Sequence, residues 1–142
     1  MRSAMMAMAA AVTLAGCEQA QLGVEDAWVR LPAVSGRPGA AYFTVKGGAD
    51  ATNLLAVSSP VALRTELHEM KHEGGMMTMA PIKDVPIAAR ATVAFQPGGK
   101  HVMLYDISPS VRAGTKVPLR IAFANGQTIE LEAEVRAPGQ EK

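Results

Sequence analysis

From residue 24 to residue 136 the chain is a succession of short segments, alternating in polarity or rich in β-branched and aromatic residues, each interrupted by Gly, Pro, Asn or Ser. Such a pattern limits the fold to an all-β sandwich or barrel of Greek-key type. Residues 24–30 read as a first strand with Trp28 as its large anchor, and 31–38 as a loop. Residues 40–46 form a strong strand closed by Gly47-Gly48, and 53–58 another, ended by Ser59-Pro60. Residues 61–72 are long for a strand; Gly74-Gly75 turns them back into 76–82. Residues 84–90, with Pro and Ala, read as a loop or one weak helical turn. Residues 91–96 and 101–107 flank Pro97-Gly98-Gly99, and 108–114 is a connection. Residues 116–124 and 127–136 flank Asn125-Gly126, the strongest hairpin signal in the chain. In the last strand Glu130, Glu132 and Glu134 alternate with Leu131, Ala133 and Val135, so one of its faces is wet. About eight or nine strands in one domain, with almost no helix, is the expectation.

The first residues belong to targeting. Met1-Arg2-Ser3 is a short basic start, and 4–14 is uncharged and apolar but about half the roughly 20 residues needed to cross a bilayer. Leu14-Ala15-Gly16-Cys17 resembles a bacterial lipobox, after which the cysteine would be lipidated. An ordinary secretory signal with an unrelated cysteine is the other reading, and both export the protein. The expected organisation is a signal peptide over 1–16, a lipidated Cys17 and tether over 17–23, the β domain over 24–136 and a polar tail over 137–142. Glu18 after the cysteine is not the aspartate associated with inner-membrane retention, which favours the outer membrane. Setting Arg2 aside leaves basic and acidic side chains equal in number, which gives no electrostatic footprint for nucleic acid or an anionic surface.

Cys17 is the only cysteine, so the mature domain has no thiol to spare for a disulfide or a metal. Thioethers and imidazoles remain as soft donors, and they are not scattered. Two of the three histidines and four of the nine methionines lie between Leu67 and Met79 (His68, Met70, His72, Met76, Met77, Met79). The third histidine begins His101-Val102-Met103, which holds the only other methionine beyond the leader. Alternation puts His68, Met70 and His72 on one face, and His101 and Met103 on one face of a second strand. A two-residue Gly74-Gly75 turn would pair Glu73 with Met76, His72 with Met77 and Met70 with Met79, leaving Met79 diagonal to His68; a three-residue turn would send Met79 to the opposite face. His101 and Met103 come directly after a turn, near an end of the sheet, which suits a rigid rim site open to a partner.

Thioether and neutral imidazole suit Cu(I), a soft ion without strong geometric demand. Zinc prefers Cys, His and carboxylate, and a blue-copper site needs a cysteine that this domain lacks. No Ser-His-Asp pattern or phosphate-cradling loop stands out, and Glu69 and Glu73 alternate away from His68, so an enzyme is not expected. A strand methionine most often fills a core; the clustering of all five in two patches is what argues for a site.

His68, ten residues, Met79, twenty-one residues, His101, one residue and Met103 is similar to the ligand spacing of the periplasmic copper chaperone family PCu(A)C. Asp26-Ala27-Trp28-Val29-Arg30, Ala40-Ala41-Tyr42-Phe43, Glu66-Leu67-His68-Glu69-Met70, the stretch from Pro97 to Leu104 and Val117-Pro118-Leu119 also resemble that family's segments, so the resemblance covers residues 24–136. It implies a cupredoxin-like barrel that holds one Cu(I) through His68, Met79, His101 and Met103 and exchanges it without turnover. Copper donors and acceptors in the periplasm would be its partners, cytochrome oxidase assembly its typical destination, and a lipid anchor its only membrane contact. It is expected to act as a monomer. Two departures stand out. The tail Gly139-Gln140-Glu141-Lys142 has none of the His and Met that add Cu(II) capacity in some members, and Met70, His72, Met76 and Met77 enrich the hairpin beyond the four ligands as secondary candidates. The competing reading is an exported structural or protein-binding β-sandwich with an incidental Met/His-rich hairpin.

Overall fold

The computed structural model of the chain describes residues 16–140. They form ten strands: β1 (Gly23–Arg30), β2 (Gly39–Lys46), β3 (Thr52–Ser58), β4 (Ala62–Glu73), β5 (Met76–Pro81), β6 (Val85–Ile87), β7 (Thr92–Phe95), β8 (Lys100–Ile107), β9 (Lys116–Phe123) and β10 (Thr128–Arg136). No helix occurs among the described residues. The expected signal peptide lies almost wholly outside them, and so do the last two residues of the tail.

All ten strands belong to one sheet in the order β5-β4-β8-β7-β2-β1-β10-β9-β3-β6, with β8 also pairing directly with β2. β1–β10 and β7–β8 are parallel and the remaining ladders antiparallel. The sheet rolls over until β3 reaches β4, where the Thr65 hydroxyl donates to the Val57 carbonyl. Inside the roll, inward-facing residues of every strand except β5 meet in one apolar core that includes Phe43, Leu54, Leu104, Leu119 and Ile121, with Phe43 stacked on Phe95 at 4.5 Å. β9 shows the pattern plainly: Val117, Leu119, Ile121 and Phe123 are buried while Lys116, Pro118 and Arg120 are exposed. The wet glutamate face of β10 is present as expected, with Glu130, Glu132 and Glu134 exposed and Ala133 and Val135 buried.

Two expectations are corrected. Residues 84–90 are not loop or helical turn; they contain β6, whose Val85 and Ile87 enter the core and pair with Leu54 and Thr52. Three residues are too short for a period of two to register in sequence, and Pro86 masks them further, although an edge strand tolerates a proline at an exposed position. This is the tenth strand. Trp28 is not a core anchor either. A one-residue bulge at Asp26 (φ +55°) shifts the register of β1, Val29 takes the buried position, and Trp28 lies half-buried on the outer face, 4.5 Å from Tyr42 and capped by Arg136. The segment before β1 also docks: Ala49 N–H donates to Ala20 O, and Leu22 packs against the core. Gly48 permits this approach, because a Cβ there would meet the Leu22 nitrogen at 2.9 Å.

Candidate metal centre

Gly74 and Gly75 both have positive φ, +58° and +79°, the conformation of a two-residue hairpin turn that only glycine adopts freely. The turn sets the register expected from sequence: Glu73 opposite Met76, His72 opposite Met77, Met70 opposite Met79 and His68 opposite Pro81. Met79 is thus diagonal to His68. On its other side β4 pairs with β8, and there His68 is directly opposite His101 and Glu66 opposite Met103. Opposed residues share a face, so one face of three adjacent strands carries His68, Met70, His101, Met103 and Met79. The other face of β4 and β8 supplies Leu67 and Val102 to the core, while Glu69 pairs with Lys100 at 3.0 Å away from the site.

His68 and His101 are buried, 7% and 6% exposed, with ring centroids 5.8 Å apart. His101 Nε2 is 3.2 Å from Met79 Sδ. Met103 and Met70 line the same open pocket as Met79 and His101. Met79 is half-exposed whereas both imidazoles are buried, and its sulfur lies against the His101 ring. The structure brings His101 and Met79 into contact, sets His68 beside them and gives Met103 a wall of the same pocket. His72 and Met77 lie on the same face farther toward the hairpin tip, both exposed, and Met76 points to the opposite face with Glu73.

Each imidazole has one nitrogen committed to an acceptor. His101 Nδ1 donates to the Gly99 carbonyl at 3.1 Å, which leaves the lone pair on Nε2, the nitrogen that faces Met79. His68 Nε2 lies 2.9 Å from Glu66 Oε2; a carboxylate can only accept, so the proton is on Nε2 and the lone pair on Nδ1. His68 Nδ1 is buried and has no hydrogen-bond partner. Glu66 is itself held, by the Tyr105 hydroxyl at 3.2 Å and by the Arg64 guanidinium, which also lies over the Tyr105 ring at 3.9 Å.

Burial holds His101 below its ordinary pKa; the Gly99 hydrogen bond opposes the shift, and the charges of His68 and Arg30 add to it. The hydrogen bond from His68 holds the Glu66 carboxyl below its usual range, against some desolvation and with help from Tyr105 and Arg64. Burial, followed by the Glu66 hydrogen bond, raises Tyr105. Burial therefore favours the neutral, ligand-ready form of the His101 imidazole, while the Glu66 carboxyl is held ionised.

Sequence reasoning did not single out Glu66, Tyr105 or Gly99 as part of the site. Glu66 was within reach: two residues before His68 on a strand puts it on the same face. Gly99 was equally local, two residues before His101, whereas Tyr105 had no local signal, because its role depends on β4 lying beside β8.

Residues 22–135 match the LpqE-like lipoprotein family. A protein of Leifsonia xyli subsp. xyli named as a lipoprotein is 32% identical over 115 residues, 80% of this chain and 68% of that one. Among solved structures, the Cu(I) form of DR1885 from Deinococcus radiodurans has a TM-score of 0.72 at 28% identity, covering 90% of this chain and 87% of that chain. The copper-bound PCuAC domain from PmoF2 superposes with a TM-score of 0.67 at 22% identity, covering 85% of this chain and 99% of that chain, and shows the same fold. The cupredoxin-like PCu(A)C fold expected from sequence is the observed one.

Proposed function

The chain belongs to the LpqE-like lipoprotein family, and on that premise we propose that it is an exported, lipid-anchored metallochaperone for Cu(I). The cargo is one ion, held by His68, Met79, His101 and Met103 and exchanged without chemical turnover. One observation carries the reading. His101 Nε2, whose lone pair is free because Nδ1 is committed to Gly99, faces the Met79 sulfur at 3.2 Å. Two electron-pair donors at that distance gain nothing from one another, and a soft cation coordinated by both removes the conflict. The unpartnered His68 Nδ1 supports it, since a buried polar nitrogen without a partner costs free energy until something binds it. Two copper-containing structures, of DR1885 and of the PmoF2 domain, are among those this chain resembles.

Buried imidazoles beneath a half-exposed thioether suit exchange: a partner's donor can displace the outer ligand first while the inner ones retain the ion. Cytochrome oxidase assembly is the destination the resemblance implies, reached in the periplasm from a membrane anchor at Cys17, with the outer membrane favoured by Glu18. Cys17 is exposed, as lipidation and membrane contact require.

Competition titration of the reduced apoprotein against a Cu(I) chelator tests the reading. One tight site is expected, lost in His68→Ala and in Met79→Ala while circular dichroism stays that of the folded barrel. Unchanged affinity in either folded variant would reject the ligand assignment and leave the structural or protein-binding reading.

A further inference from the structure

The β4–β5 hairpin carries more soft donors than the centre above uses, and their placement is regular. Ile82 N–H donates to Leu67 O at 2.9 Å, which makes that pair a hydrogen-bonded one. Pairs alternate along an antiparallel ladder, so His68–Pro81, Met70–Met79 and His72–Met77 are all non-hydrogen-bonded pairs, with Cα atoms about 4.5 Å apart and side chains at their closest. The Met70 N–H agrees, since it is directed away from β5 to the Gly99 carbonyl at 3.2 Å. Successive pairs on one face are roughly 7 Å apart along the strands. His72 with Met77, Met70 with Met79, and His68 with His101 thus form a three-rung ladder of imidazole and thioether from the hairpin tip to the buried centre.

Core packing does not account for the outer rungs. Met77 is 50% exposed and His72 is exposed, whereas Met70 is half-buried and lines the pocket that holds Met79 and His101. Among the described residues no three His, Cys, Asp or Glu side chains assemble a site for a hard cation. One imidazole flanked by two thioethers is instead a soft donor set.

We propose that His72, Met77 and Met70 form an outer receiving site for Cu(I), from which the ion passes to Met79 and His101. The proposal rests on the Cu(I) reading of the inner centre. In the handover a bond from Cu(I) to Met79 or His101 forms as a bond to Met77 or His72 breaks; the ion stays Cu(I), and no electron is transferred. Met70, next to both rungs, retains the ion during the exchange. Met76 lies on the other face, opposite Glu73, and takes no part.

The test uses protein whose methionine methyl groups carry carbon-13, titrated with Ag(I) as a closed-shell stand-in for Cu(I). The first equivalent is expected to shift the Met79 and Met103 methyls and the rings of His68 and His101. The second is expected to shift the Met77 and Met70 methyls and the ring of His72 while leaving Met76 in place. His72→Ala/Met77→Leu, a change confined to exposed side chains, should abolish the second set and preserve the first. A second equivalent that leaves Met77 unmoved, that moves Met76 as far as Met77, or that still binds in the double variant would overturn the outer site and leave the inner one intact. A first equivalent that spares Met79 and Met103 would overturn both.

Discussion

At the scale of single residues, the proposed centre depends on side chains outside the proposed ligand set. Glu66 fixes the proton of His68 on Nε2, and the Gly99 carbonyl fixes that of His101 on Nδ1, so the two rings offer different nitrogens. Partners that orient a ligand typically change metal affinity by about 10–100-fold when removed. Glu66→Ala should weaken Cu(I) binding within that range, and Glu66→Gln, whose amide oxygen still accepts, should retain most of it; equal losses in competition titration would show that charge rather than orientation matters. A second prediction concerns the apoprotein. His101 is held below the ordinary 6.5 by burial, so the unfolded chain takes up the proton first as pH falls. Stability is complete above the unfolded value, declines as pH drops below about 6.5, and levels off once the folded pKa is passed. Urea unfolding from about pH 8 to 5 should show this decline, and His101→Gln should lack that part of it. Glu66 acts in a separate, more acidic window, because its lowered pKa gives stability that is lost only as pH falls below the ordinary 4.5.

At the scale of the element, the β4–β5 hairpin is a lever whose register decides whether the site exists. A slip of one residue moves Met79 to the opposite face. The register is set by two glycines with positive φ, where a β-branched residue would meet a penalty of about 1–2 kcal/mol each. Gly74→Val/Gly75→Val should therefore cost most of the Cu(I) affinity and leave the thermal midpoint of the barrel nearly unchanged, because residues 71–79 are exposed and add little to the core. A variant that keeps full affinity would show that the turn does not control the site. This element was legible in sequence almost residue for residue, since glycine pairs and alternation are local signals. β6 was not, because its strand character comes from Val85 and Ile87 being buried against β3.

At the scale of the molecule, the anchor and the site lie toward opposite ends. Ala20 is fixed to Ala49, so Cys17 lies within about 10 Å of the barrel. Along β2, Ala40 is opposite Met103, and the eight residues from there to Gly48 span about 25 Å. Lipidation at Cys17 would hold the Gly48 end near the membrane and leave the proposed metal centre facing away from it. Cys17→Ser should release the protein to the soluble fraction and keep its Cu(I) affinity within about twofold, as expected for a distant, uncoupled site. Retention of that variant on the membrane would exclude the anchor.

The sequence by itself determined the class of fold, the glycine turn, the single cysteine and the choice of soft donors, because all of these follow from residue type and spacing along one chain. It also determined which side of β4 His68 occupies, since alternation is local. Only the tertiary structure decided that β8 lies directly against β4 and sets His101 opposite His68. The same pairing brought Tyr105 to Glu66, and the bulge at Asp26 moved Trp28 out of the core. Contacts between strands distant in sequence depend on how the whole sheet closes, and no local pattern carries that information.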